Sequence, residues 1–409
     1  MRFELFVAFR YLLALRRQAF ISLISLFAVF GVCLGVASLI VVIGVMNGFT
    51  HDLREKILGV NAHVLITSFE QGIADYEELV DRAEEVDGVE GAMPFVYSEV
   101  MLSTPRGVKG LALRGVLPDR AGGVLGLAGY MKAGEIKDLG REDGPPGVVV
   151  GAELASRLGL HLGSRVNLLS PTGRKTSAGF TPKISVFQVV GVFDTGMYEY
   201  DSSLGYVAMD KAQDLLGFDG DLATGVEVRT SDPERAEAIS EDLRERIGEF
   251  PLSVRSWAEM NANLFAALKL EKTAMFIILA LIIVVGSFSI VTTLVMLVMK
   301  KTRDVAVLMS MGAGRSTVRR IFMLQGTIIG AVGTVAGYLV GLPVAWLLRR
   351  YQFIELPRNV YPVDYLPVRL EAFDLGVIGV AAFLLCFLAT IYPARRAASL
   401  NPADALRYE

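Results

Sequence analysis
The chain has 409 residues, 53% of them hydrophobic and only 20% charged. Its mean hydropathy of +0.47 is too high for a soluble protein of ordinary composition. Forty Lys and Arg against 43 Asp and Glu give a net charge of −3, so no basic stripe exists for binding nucleic acid.

Residues 1–19 carry Arg2, Arg10, Arg16 and Arg17. The charge-free run Phe20–Met46 follows; it is longer than the ~7–15 residues of a signal-peptide core, so an uncleaved membrane helix is expected. Three further runs, Thr273–Met299, Ile321–Leu348 and Leu375–Ala394, also reach the ~20 residues that cross a bilayer. Cys33 and Cys386 both fall inside these runs, which leaves the rest of the chain without disulfides. The first three runs have 27 or 28 residues. At ~40 Å each they exceed a ~30 Å hydrocarbon core, and should tilt or rise out of the membrane.

Residues 47–272 have ordinary globular composition and are expected to form an α+β domain inserted between the first two membrane helices. It begins at Asn47-Gly48-Phe49, where the first helix should leave the membrane. Alternation predicts strands over 63–69, 96–102 and 108–116, and Leu79, Val80 and Ala83 predict a helix over 76–85. The Gly- and Pro-rich stretch 134–147 reads as a subdomain boundary. Beyond it come strands at 148–150, 165–169, 184–193 and 205–209, with helices at 152–158 and 211–216. Residues 170–183 (SPTGRKTSAGFTPK) read as a turn-rich loop. Strands at 225–229 and 252–256 flank a helix at 233–247. The expected domain is a core unit, about 60–133 and 223–258, with an inserted unit at about 147–222.

Lys300, Lys301, Arg303, Arg315, Arg319 and Arg320 crowd the loop 300–320, and Arg395, Arg396 and Arg407 the tail 395–409. Basic short loops stay in the cytoplasm, so both termini are expected inside and the large domain outside. The loop 349–374 is less basic, because Glu355, Asp364 and Glu371 offset its arginines, and is placed outside.

Catalytic chemistry finds no support. Gly173-Arg174-Lys175-Thr176 lacks the glycines of a P-loop, and Gly312-Ala313-Gly314-Arg315-Ser316 fails as well, so no ATPase site is expected. The three histidines, His51, His63 and His161, are scattered, and neither a metal site nor a nucleophile elbow is expected. The four runs hold no Asp, Glu, Lys, Arg or His, which argues against ion-coupled transport. Gly326, Gly330, Gly333, Gly337 and Gly341 form small-xxx-small ladders, with Gly31 and Gly35 in the first run. Such ladders suit either a subunit interface or close packing within one bundle.

Two segments have a recognisable form. Lys301-Thr302-Arg303-Asp304-Val305-Ala306-Val307-Leu308-Met309-Ser310-Met311-Gly312-Ala313 and Tyr392–Ala398 with Asn401–Glu409 resemble the permeases of MacB-type ABC transporters. Val45-Met46-Asn47-Gly48-Phe49, with Leu53 and Ile57-Leu58-Gly59, narrows the resemblance to the lipoprotein-releasing permeases LolC and LolE. The Phe180-Thr181-Pro182 loop and the ending Ala405–Glu409 look more like LolC. MacB itself carries an ATPase before its first helix and FtsX a much smaller external domain, so both are runners-up.

The resemblance implies a four-helix permease in the inner membrane of a Gram-negative bacterium that extracts lipoproteins from the outer leaflet. It implies a LolD-like ATPase in two copies that hydrolyses ATP with Mg, no cofactor on this chain, and a LolA-like periplasmic carrier. It further implies a second permease, LolE-like or another copy of this chain, with triacylated lipoprotein and membrane lipid as ligands. Asp304, Val305, Leu308, Met309 and Gly312 are then expected to dock the ATPase, with the apolar face of a short helix buried there. Val42, Val45, Met46, Phe49, Phe276, Ile277 and Ala280 are expected to touch acyl chains. Pro171, Arg174, Lys175, Phe180, Thr181 and Pro182 are expected to hook the carrier. The alternatives are a MacB-like efflux or mechanotransmission permease and an FtsX-like regulator of envelope hydrolases.

Overall fold
The computed structural model describes residues 2–13, 19–69, 72–141, 143–171, 174–176, 179–218, 220–248, 251–357, 363 and 365–400. Its elements, in chain order, begin with α1 (Arg2–Leu13), α2 (Ala19–Val60), β1 (Val64–Ser68), α3 (Tyr76–Glu84), β2 (Val89–Thr104), β3 (Gly107–Val116) and α4 (Pro118–Val124). Next come β4 (Met131–Ala133), β5 (Gly147–Gly151), α5 (Ala152–Leu158), β6 (Arg165–Leu169), β7 (Arg174–Thr176), β8 (Gly179–Thr181) and β9 (Ile184–Phe193). Then follow α6 (Tyr198–Ser203), β10 (Leu204–Ala208), α7 (Met209–Leu216), β11 (Gly225–Thr230), α8 (Ala236–Ile247), β12 (Leu252–Ser256) and α9 (Trp257–Met260). The last four are α10 (Ala262–Lys300), α11 (Thr302–Ser310), α12 (Arg315–Tyr351) and α13 (Ala372–Ala398). The chain divides into two compact units, one of residues 1–51, 267–354 and 365–409, the other of 52–266 and 355–364.

The first unit is helical. Among the described residues four helices, α2, α10, α12 and α13, are long and apolar enough to cross a membrane. The helix over the first run continues past Asn47-Gly48-Phe49: α2 is 42 residues long and ends at Val60. At ~63 Å it is about twice the hydrocarbon thickness, so tilt alone does not account for its length. Residues 2–13, expected only as a basic terminus, form a helix of their own.

The glycine ladders resolve into two packing seams inside this bundle. A Cβ on Gly333 would lie 2.8 Å from the Val32 Cβ, one on Gly337 2.6 Å from the Val36 Cβ, and one on Gly341 3.0 Å from the Ala37 Cα. On the adjoining face, Gly326 meets Thr390 and Gly330 meets Cys386 of α13. Backbones that approach this closely gain dispersion contacts where no hydrophobic effect is available. Val32, Val36, Ile40, Ile283, Ile290 and Phe322 are at most 1% exposed in the cluster that results.

The second unit is built on one ten-stranded sheet in the order β12-β1-β11-β2-β3-β10-β5-β9-β4, with β6 paired to both β2 and β9. The expected core and inserted groups therefore share a single sheet. The junction is the parallel pairing of β3 with β10. β2 binds the two groups further: it is 16 residues long and pairs with β11, β3 and β6. β5 is buried at every position, which explains its unbroken GVVVG run. Two apolar cores remain distinct: one joins Val64, Val226, Leu79 and Leu243, the other Leu111, Val150, Leu154 and Leu215.

Candidate functional site
The Met46-Asn47-Gly48-Phe49 motif gains its meaning from contacts late in the chain. Asn47 Nδ2 donates to Asp374 Oδ2 at 2.6 Å, and Lys272 Nζ donates to the same oxygen at 2.9 Å. One carboxylate thus ties together α2, α10 and α13. A Cβ on Gly48 would lie 2.6 Å from the Pro367 carbonyl carbon, so only glycine admits that strand of backbone. The Arg369 N–H donates to the Gly44 carbonyl at 2.8 Å on the same side. Asp374 and Lys272 were not legible as partners, since each lies just outside an apolar run.

Opposite this knot α2 has an open face. Phe27, Phe30, Leu34, Ser38, Val42, Val45 and Phe49 recur at three- or four-residue spacing, and none is buried. Val42, Val45 and Phe49 therefore belong to one stripe, with Met46 half-buried beside it. On α10, Ile277 is 62% exposed, whereas Phe276 and Ala280 are half-buried. Val42 and Phe276 also pack on the bundle core, which leaves them only partly free for a ligand.

The short helix α11 corrects the expected docking face. Val305 is 2% exposed and packs, with Met309, into the bundle's own cluster. Val305 is therefore unavailable to a partner, because the helix turns its apolar side inward to cover the bundle end. Leu308 is half-buried, and the outer surface offers Arg303, Asp304, Val307 and Met311. Asp304 accepts from Lys301 Nζ at 2.9 Å in the first turn. Gly312, at φ 100°, ends the helix, and the Ala313 N–H bonds the Leu308 carbonyl.

The 170–183 segment is not only loop: β7 and β8 pair as a two-stranded sheet of their own, with Lys175 opposite Phe180. The Ser170 N–H donates to the Lys183 carbonyl at 2.9 Å at its base. Pro171 and Pro182 are exposed. The side chains of Arg174, Lys175, Phe180 and Thr181 lie outside the described residues. So does the segment 401–409, half of the C-terminal motif.

Charged groups are buried elsewhere in the sheet unit. Arg114 Nη1 pairs with Glu227 Oε1 at 2.5 Å, with Glu227 only 1% exposed. Arg114 Nε, Glu227 Oε2 and the Tyr206 hydroxyl make no hydrogen bond. Asp201 accepts from the Thr195 N–H and hydroxyl, both at 2.9 Å. Burial, with Asp194 beside it, pushes Asp201 up to about 6. In the helical unit Gln325 is fully buried with neither side-chain atom bonded. Carrying no charge, Gln325 does not stand out within the charge-free third run. Among the described residues no cluster of His, Cys, Asp and Glu could hold a metal ion.

With these features in place, comparison with known proteins is decisive. The family of MacB-like periplasmic core domains matches residues 25–246, and that of FtsX-like permease C-terminal domains matches 276–402. The lipoprotein-releasing system transmembrane protein LolC of Neisseria meningitidis serogroup B is 36% identical, over 99% of each chain. The chain belongs to the LolC/LolE family. LolC of Xylella fastidiosa (strain Temecula1) is 37% identical over 98% of each chain, and LolE of Haemophilus influenzae 29% over 98% of each.

Proposed function
We infer that this chain is the membrane permease of an ABC transporter that releases lipoproteins. The observation that carries the reading is similarity at 36% and 37% identity, over 98% or more of the chain, to transmembrane proteins of lipoprotein-releasing systems. In the finer reading the large domain is periplasmic, both termini are cytoplasmic, and lipoproteins leave the outer leaflet of the inner membrane for a soluble carrier.

The physical case is one of energy and surface. Lifting one long acyl chain from lipid costs on the order of 10 kcal/mol, at ~0.8 kcal/mol per CH₂. A separate ATPase, contacting Arg303, Asp304, Val307 and Met311 of α11, supplies it. The partly exposed stripe of α2, with Ile277 of α10, offers the acyl chains an apolar surface shared with a second permease. Met46 suits it, because an unbranched thioether adapts to irregular apolar shapes. The β7–β8 hairpin holds the carrier: Pro171 and Pro182 limit the entropy lost, and Phe180 anchors.

Reconstitution of the chain with its ATPase in vesicles tests the reading. ATP-dependent transfer of a triacylated lipoprotein to soluble carrier is expected. Replacing Phe180-Thr181-Pro182 with Gly-Ser-Gly should abolish carrier capture and leave ATPase assembly intact. A fully assembled complex that hydrolyses ATP but releases no lipoprotein would overturn the function.

A further inference from the structure
Two separate hollows between α10 and α13 line up as an apolar groove. Its upper part is a cavity of about 210 Å³ walled by Val284, Phe288 and Val291 of α10 and by Leu385, Leu388 and Ala389 of α13. Ser287 lies at its floor but donates its hydroxyl to the Ile283 carbonyl at 2.8 Å, so it presents no unmet polar group. The lower part is a shallow hollow of only about 20 Å³, walled by Val295, Val298, Met299 and Pro393 and ending at Arg396. The Arg396 guanidinium is exposed, and its Nη1 donates to the Tyr392 hydroxyl at 3.4 Å. Among the described residues no carboxylate pairs with it.

We propose that this groove binds one acyl chain of an acidic glycerophospholipid, with the lipid phosphate held by Arg396. Length, polarity and charge agree. From Val284 to Met299 the groove spans ~22 Å of helix, enough for the ~15 Å of one leaflet and its headgroup boundary. Its walls are hydrocarbon, and among the described lining residues the one cation, Arg396, stands at one end, where a phosphate would lie. Guanidinium is suited to phosphate through paired N–H donors. Lys300 ends α10 and Lys301 follows it, so under the topology proposed above this is the cytoplasmic leaflet. Of the acyl-contact residues, Phe276 and Ile277 lie about two turns from Val284 toward the other end of α10 and Ala280 about one turn, whereas Arg396 marks the opposite end of the groove. The groove is thus a separate site for resident lipid rather than a second stretch of the cargo path.

Native mass spectrometry of the full-length chain, purified with its ATPase and titrated with phosphatidylglycerol, tests this. One retained lipid is expected, with inorganic phosphate unable to displace it. Arg396→Glu should weaken retention about tenfold or more, the loss of one charge-assisted contact. Ala389→Trp, which fills the cavity, should abolish retention, and Arg395→Glu, outside the groove, should leave it unchanged. Arg396→Glu lies on the surface and keeps the test decisive should Ala389→Trp not assemble. Retention unchanged in Arg396→Glu, or equally lost in Arg395→Glu, would overturn the site. So would a disulfide-linked dimer formed through Phe288→Cys, since a second copy would then occupy the groove. Lipid retention is read without lipoprotein, so its failure is distinct from a failure of release.

Discussion
Replacing Gly337 with alanine tests whether the α12 ladder is an internal seam. The new Cβ would stand 2.6 Å from the Val36 Cβ, 2.7 Å from its Cγ1 and 3.0 Å from the Cys33 carbonyl oxygen, where ordinary contact begins at 3.4 Å. Val36 is fully buried and β-branched, so it has no alternative rotamer to take. The two helices must therefore separate by ~0.8 Å, and overpacking of this kind costs about 1–3 kcal/mol. Alanine also gains up to ~1 kcal/mol of helix propensity over glycine. The control is Gly376→Ala in α13, which has no heavy atom within 4 Å of the new Cβ and keeps the propensity gain alone. Gly337→Ala should thus be less stable than Gly376→Ala by about 1–3 kcal/mol in SDS-induced unfolding of the detergent-purified chain. Equal midpoints would refute the internal seam. The ladder would then have to act between subunits, and Gly337→Ala should weaken permease pairing instead.

Four other outcomes follow from the same structure. Asp201, ordinarily at 3.8, is held at about 6 by burial, so the folded state binds its proton more tightly than the unfolded chain. Its stabilisation is full below 3.8 and is lost as pH rises through 6, while Asp194, held down against burial by Lys132, contributes stability that is full above its ordinary value and lost only as pH falls below it, outside this window. Asp201→Asn should flatten the fall in melting temperature between pH 4 and 6.5, and an unchanged slope would assign it to other groups. Arg114→Met leaves Glu227 buried and unpaired and should cost about 3–5 kcal/mol in urea unfolding, most of it recovered by adding Glu227→Leu. Met311→Glu, at a position 79% exposed, should lower ATPase co-purification severalfold without changing the chain's stability, whereas Val305→Asp should unfold the bundle; full ATPase recovery with Met311→Glu would move the contact elsewhere. Gln325→Met removes an unbonded buried amide and should leave stability equal or raise it by about 1–3 kcal/mol, a clear loss pointing to a bonded partner.

Local pattern alone fixed much of this protein. Charge-free runs located the four long helices, because a bilayer solvates no charge cheaply. Alternation located β6, β9 and β12 to the residue, because a half-buried strand must place every second side chain inward. The basic loop and the Met46–Phe49 motif sufficed to place the chain in its family. What sequence could not decide is pairing between distant segments. Nothing local told that Asn47 reaches Asp374, 327 residues away, or that β3 takes β10 as a parallel neighbour and so merges two expected units into one sheet. Nor could periodicity say which way an amphipathic helix turns. The apolar face of α11 was legible, but its partner was not, and tertiary packing gave Val305 to the bundle rather than to another protein. Burial patterns record that a face is covered; only the three-dimensional structure records what covers it.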